Sequence, residues 1–371
     1  MSKDIYKFKS FAGVHPPEIL SLTQTDTIDL KGRFGTKKLS VDVMDESKML
    51  VHNNYTNDIS LFDIRDKKVM KVLPLSYFTN KYDSLLTLLL SDKPDELAYN
   101  LANYKSNDFY KTFPLCKIKN INYFNEWIYI GISVSYMVRG ANDHIIYDGL
   151  QAFVKMDSGL NLQYVYGLID SVPNVNGKYI SLMGYSFTGE DTVAVSLSCA
   201  GDRKQDSVAA LYSLKTNEIK VIEMSYDPFM PLKGPNGYYN YYRFDVWKDS
   251  KQAIKANFRR SPYIFDVATK TKTLLPGLGI DAKTIEPEGK DKFFWISKIF
   301  PYANSMLVLG NLKQNEAVLL QYDPDFKTLL SKKKIYDGYL SDIFLVNTTL
   351  FAFENYSEKG DVAVLHTYKL K

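Results

Sequence analysis

The chain is poor in cysteine, with only Cys116 and Cys199 among 371 residues. At most one disulfide can form, so the core and not a set of bridges must hold the fold. Both cysteines lie in apolar, strand-like surroundings and read as buried free thiols. Long hydrophobic runs are also missing. The longest strongly apolar stretch, Leu85–Leu90, is interrupted by Thr87, whereas a spanning helix needs about 20 apolar residues. No transmembrane segment is expected, and the opening MSKDIYKFKS lacks the apolar centre of a signal peptide. Charge of one sign is not in excess: 46 basic residues face 42 acidic ones, for a net charge of +4. The only dense basic run is Lys332, Lys333 and Lys334, so no nucleic-acid partner is expected. The signatures G-x-S-x-G, H-E-x-x-H, C-x-x-C and the P-loop are all absent. Four histidines, His15, His52, His144 and His366, are scattered without metal-ligand spacing. No cofactor is expected.

What the chain does have is aromatic residues, 28 Tyr, 21 Phe and 3 Trp, set in short alternating apolar and polar runs. Gly, Asn, Asp and Pro separate the runs, which is a strand-and-turn pattern. The pattern repeats. One hairpin reads NDISLFDIRDKKVMKVL (57–73), LQAFVKMDSGLNLQYVYGL (150–168), DSVAALYSLKTNEIKVIEM (206–224), SPYIFDVATKTKTLL (261–275) and EAVLLQYDPDFKTLLSKKKI (316–335). A half copy, DVAVLHTYKL (361–370), closes the series. Another hairpin precedes each copy, with turns at Asp45, Asn125, Gly189, Asp249, Asn304 and Asn347. Matching points at Ala209, Tyr263 and Val318 are 54 and 55 residues apart. Six four-stranded units of this length predict an all-β fold, a six-bladed β-propeller forming a single domain over 1–371.

The last unit lacks its outer strand. The strand-like stretch Leu20–Leu30 is expected to supply it and to close the ring, since an unpaired edge invites aggregation. One interval is too long: Ile59 to Ala152 spans 93 residues. The surplus changes to a helical period, with Leu85, Leu88 and Leu89 on one face and a new helix started by Asp92 and Pro94. It predicts a small helical insertion, at about 80–106, between blades one and two. A loop from an outer strand to the next inner strand places it on the funnel face of a propeller.

Two groups of residues are candidate sites. The loop YDPFMPLKGPNGYYNYYRF (226–244) crowds Tyr238, Tyr239, Tyr241 and Tyr242, and the turn bearing Arg259 and Arg260 is expected on the same face. Tyrosines give flat area with a polar tip, and arginines add a planar fork of donors. Tyr238, Tyr239, Tyr241, Arg259 and Arg260 are therefore the candidate ligand-binding residues. Arg203 and Lys204 lie in another loop assigned to that face. The second group lines the channel: Asp42, Asn122, Asp245 and Asp342 on inner strands. Oxygen ligands of this kind suit Ca²⁺, and paired carboxylates suit acid–base work on a glycoside. The alternative for both groups is packing between blades or hydrogen bonding in a wet channel. Ring closure would also make His52 and His366 neighbours.

The segments EAVLLQYDPDFK (316–327) and LSDIFLVNTTLFAFEN (340–355) resemble a late blade of the TolB-like six-bladed propeller proteins of Bacteroides-type bacteria. Many relatives carry a Gly-rich segment after the first blade, where this chain reads KVLPLSYFTNKYD (71–83). The resemblance implies a fold and a compartment, the bacterial cell envelope, in which many such proteins are lipoproteins. The compartment would be the periplasm or outer membrane, reached through a leader absent from this chain, with a cytoplasmic interaction propeller as the alternative. The expected function is a monomeric, non-enzymatic binding or scaffold protein whose funnel face meets a glycan, peptide or partner protein. The alternative is a lactonase- or glycosidase-type hydrolase using a channel metal or carboxylate site.

Overall fold

The computed structural model describes residues 21–36, 38–106, 114–138, 145–168, 179–189, 191–200, 205–216, 218–225, 246–247, 252–257, 260–266, 268–269, 271–276, 294–312, 316–338, 340–355 and 362–370. The chain opens with strand β1 (Leu22–Asp29) and a short helix, α1 (Leu30–Phe34). The Asp29 side chain accepts from Gly32 N at the start of α1, and Gly35, at φ 67°, ends it in the left-handed region that glycine adopts without strain.

Antiparallel four-stranded sheets follow. The first holds β2 (Leu39–Val43), β3 (Lys48–Asn53), β4 (Asp58–Asp63) and β5 (Lys68–Leu73). Helices α2 (Ser76–Thr79), α3 (Tyr82–Leu89) and α4 (Pro94–Asn103) come next. The second sheet holds β6 (Cys116–Phe124), β7 (Trp127–Val138), β8 (Ile145–Met156) and β9 (Leu162–Leu168). The third holds β10 (Tyr179–Gly189), β11 (Thr192–Ala200), β12 (Gln205–Ser213) and β13 (Ile219–Ser225). The fourth holds β14 (Val246–Trp247), β15 (Gln252–Asn257), β16 (Arg260–Asp266) and β17 (Lys272–Leu274). The fifth holds β18 (Phe294–Tyr302), β19 (Ser305–Leu312), β20 (Glu316–Tyr322) and β21 (Leu329–Tyr336). In the last, β22 (Asp342–Val346), β23 (Thr349–Glu354) and β24 (Val364–Leu370) are completed by β1, which pairs with β24.

The inner strands stand side by side in the order β2, β6, β10, β14, β18, β22, and β22 returns to β2. This is a β-propeller. Among the described residues, however, the six full blades that the repeat predicts are not all present. In five sheets every strand has five residues or more, and these are full blades. The sheet at 246–274 is reduced among the described residues to a two-residue inner strand and a three-residue outer strand. The fold is therefore corrected to five full blades and one reduced sheet. The β16–β17 ladder ends at the Tyr263–Leu274 pair, next to Pro262, which has no N–H to donate, and the β15–β16 register shifts between Lys255 and Asn257.

A turn motif explains the repeat. In five sheets the residue at or just after the end of the third strand caps the next turn. Asp63 Oδ1 accepts from Asp66 N at 2.8 Å, Asp157 Oδ1 from Gly159 N at 2.9 Å and Asp323 Oδ1 from Lys327 N at 2.7 Å. Asp266 accepts from Thr269 N at 2.8 Å, and Ser213 Oγ takes the same part toward Thr216 N at 3.2 Å. Asp and Ser suit this because a short polar side chain can satisfy backbone N–H groups two to four residues on.

The core lies between sheets. Ile28, Val41, Phe62 and Phe353 fill the seam where the ring closes. Tyr129, Phe153, Phe187 and Tyr212 join the second and third blades. Met306, Val318, Tyr322 and Phe326 pack with Ile264 and Leu275, and Leu307, Leu319, Leu350 and Tyr368 join the last two blades. The largest cluster joins the first two blades to the helices, through Leu50, Leu73, Phe78, Tyr82, Leu86, Cys116 and Ile132. The helical face differs from the expected one. Tyr82, Leu85, Leu86 and Leu89 turn inward, while Leu88 is 48% exposed. Cys116 is a buried free thiol, pushed up to about 12 by burial. Among the described residues no helix is long and apolar enough to cross a membrane.

Candidate functional site

Antiparallel order assigns the loops to faces. The β3–β4 turn and the β5–β6 connection lie on one side of the first blade, and the β2–β3 and β4–β5 turns lie on the other. Helices α2–α4 fall in the β5–β6 connection, so they sit on the former side, the expected funnel face. The β1–β24 pairing sets Leu22 opposite Leu370 on the other side.

Specific hydrogen bonds fix the helices. Asp58 Oδ1 accepts from Leu75 N at 3.1 Å and anchors the approach to α2. Tyr82 in α3 donates to Ser135 O at 2.6 Å. In α4, buried Asn100 meets both backbone groups of Met137: Nδ2 donates to the carbonyl at 2.8 Å, and Oδ1 accepts from the N–H at 2.6 Å. The amide thus stands where a neighbouring strand would, and satisfies groups that burial would otherwise leave costly. Nothing in the spacing of the sequence marks Asn100 for this role.

Channel residues come together only in part. Asp42 of β2 is buried, and its Oδ2 accepts from Tyr123 N at 2.7 Å on β6, with Asn122 Nδ2 3.4 Å away. The first two inner strands are tied together by this carboxylate. Asp342 begins β22 and accepts from the next residue's N–H, Ile343, at 2.8 Å. Asp245 lies outside the described residues. Among the described residues, no group of three His, Cys, Asp or Glu side chains is arranged to hold a metal ion.

The aromatic loop at 226–244 lies outside the described residues. Tyr238, Tyr239, Tyr241, Tyr242, Arg259, Arg203 and Lys204 lie outside the described residues. Arg260 starts β16 and pairs in register with Asn257.

The two strand histidines do not form a shared site. His52 is fully buried on β3, with neither ring nitrogen at hydrogen-bonding geometry. Burial lowers it from 6.5 to about 4, and nearby Asn57 and Asp58 offset only part of that. His366 instead joins a buried polar group between the last two blades. Its Nε2 is 3.3 Å from Glu354 Oε2, and its Nδ1 is 3.5 Å from Gln24 Nε2 on β1. Tyr336 of the preceding blade donates to Glu354 Oε2 at 2.6 Å. Burial, and then the neighbouring Glu354 carboxylate, raise the Tyr336 phenol. Sequence reasoning missed this group because Tyr336, Glu354 and His366 belong to different strands, and no fixed spacing links them.

No family model matches the chain, and no curated protein does. The TolB-like assignment and the Bacteroides origin thus gain no support. Among solved structures, the chain is similar to a chain in the crystal structure of a mitotic checkpoint complex. The identity is 8% over 100% of this chain and 99% of that one, with a TM-score of 0.44. It is also similar to a provisionally assigned glycoside hydrolase from Parabacteroides distasonis. There the identity is 8% over 67% of this chain and 84% of that one, with a TM-score of 0.35. Likenesses this distant carry no functional argument.

Proposed function

We propose that the protein is a non-enzymatic binding or scaffold propeller that meets a glycan, peptide or partner protein with the face bearing α2–α4. The observation that carries this reading is the engagement of Asp42. Its carboxylate, which the sequence offers for metal or acid–base chemistry, accepts from Tyr123 N and joins two blades. The rigid seating of the helices supports the same reading, because Asn100 and Tyr82 hold them to β7 as a preformed surface. The candidate contact residues remain Tyr238, Tyr239, Tyr241, Arg259 and Arg260. A location in the cell envelope belongs to the same proposal, and fractionation of cells expressing the native gene tests it.

Thermal melting against Ca²⁺, EDTA, oligosaccharides and peptides tests the binding reading. A ligand at 100 times its Kd adds about 2.7 kcal/mol. The expected result is a shift with an oligosaccharide or peptide that Tyr241→Ala and Arg259→Ala abolish. A Ca²⁺ shift reversed by EDTA, or turnover of a lactone or glycoside that Asp42→Asn removes, would replace the proposal with the hydrolase reading.

A further inference from the structure

We draw no further inference here: the strongest candidate, the apolar patch that Val69, Met70 and Val72 expose along the outer strand β5 of the first blade, carries nothing, because nothing in the structure shows what covers it and the lysines beside it already meet Asp26, Asp66 and the Gly159 carbonyl.

Discussion

Tyr212, near the end of β12, donates its phenolic hydrogen to the carbonyl of Gly167 on the outer strand of the preceding blade, at 2.8 Å. The same relationship recurs twice. Tyr322 of β20 donates to Pro276 O at 3.0 Å, and Tyr368 of β24 donates to Ile335 O at 3.2 Å. A third-strand tyrosine thus stitches its sheet to the outer edge of the sheet before it. The equivalent place in the first blade is held by Phe62, which has no hydroxyl. It packs against Phe34 of α1 at 5.9 Å between ring centroids.

Removing these hydroxyls weakens the ring without emptying its core. Each of Tyr212→Phe, Tyr322→Phe and Tyr368→Phe should cost about 1 kcal/mol. The three bonds lie between different pairs of sheets and share no partner, so the triple variant should lose about 3 kcal/mol. Urea unfolding followed by tryptophan fluorescence gives the values. A triple variant as stable as the parent would mean that the stitches are idle.

Alkali should unfold the protein through the same residues. Burial pushes Tyr212 and Tyr368 up from 10.0 to about 12, with Glu354 adding to the effect at Tyr368. A phenol whose folded value lies above its unfolded value contributes stability that is complete below about pH 10. That contribution disappears as pH rises toward 12. Stability measured from pH 9 to 12 should fall steeply in the parent and less steeply in Tyr212→Phe/Tyr368→Phe. Parallel curves would count against the account.

His52 sets an opposite limit on the acid side. Its unfolded form takes up a proton near pH 6.5, whereas burial holds the folded form neutral until about 4. The stability it allows is complete above pH 6.5 and is lost as pH falls toward 4. The loss is at most on the order of 3 kcal/mol. His52→Leu should flatten the melting temperature between pH 7 and 4.5. An unchanged slope would show that His52 is already protonated, or partnered, in the folded chain.

The helices should come loose when their amide clamp is cut. Asn100→Ala removes the side-chain partner of the Met137 N–H and carbonyl and should cost about 2–6 kcal/mol, at one to three for each group. Hydrogen exchange should quicken over 94–103 and 136–138 while the last two blades keep their protection. Uniform acceleration throughout the ring would mean that insertion and propeller unfold as one unit.

The closing strand separates backbone pairing from surface charge. A chain lacking residues 1–29 would leave β24 as an open edge and bare the seam around Phe62 and Phe353. Aggregation or loss of cooperative melting is expected. Asp26→Asn removes only the partly exposed pair with Lys67, 2.9 Å apart, and should cost under about 1 kcal/mol. A stable, monomeric truncated chain would refute the closed single-domain reading.

By itself the sequence determined the strands, their grouping in fours, the helical interruption and the strand that closes the ring. These are local properties. The apolar run in EAVLLQY is buried on both faces, and the Asp or Ser capping a turn sits beside its own targets, as Asp323 does for Lys327 N. The short outer strand of the fourth sheet ends beside Pro262, a residue that the repeat pattern passed over. Leu88 shows a smaller limit: a helical period names a stripe, and only packing against β7 and β9 decided that Leu86 and not Leu88 faces inward. The roles of polar residues needed the tertiary structure. Asp42 read as a free channel carboxylate until β6 delivered Tyr123 N to it, and His366 read as isolated until Glu354, Gln24 and Tyr336 came in from three other strands. A hydrogen bond is decided within about 3.5 Å, whereas these partners are separated in the chain by as few as 12 residues and as many as 342. Only the closed ring brings such distances down to contact.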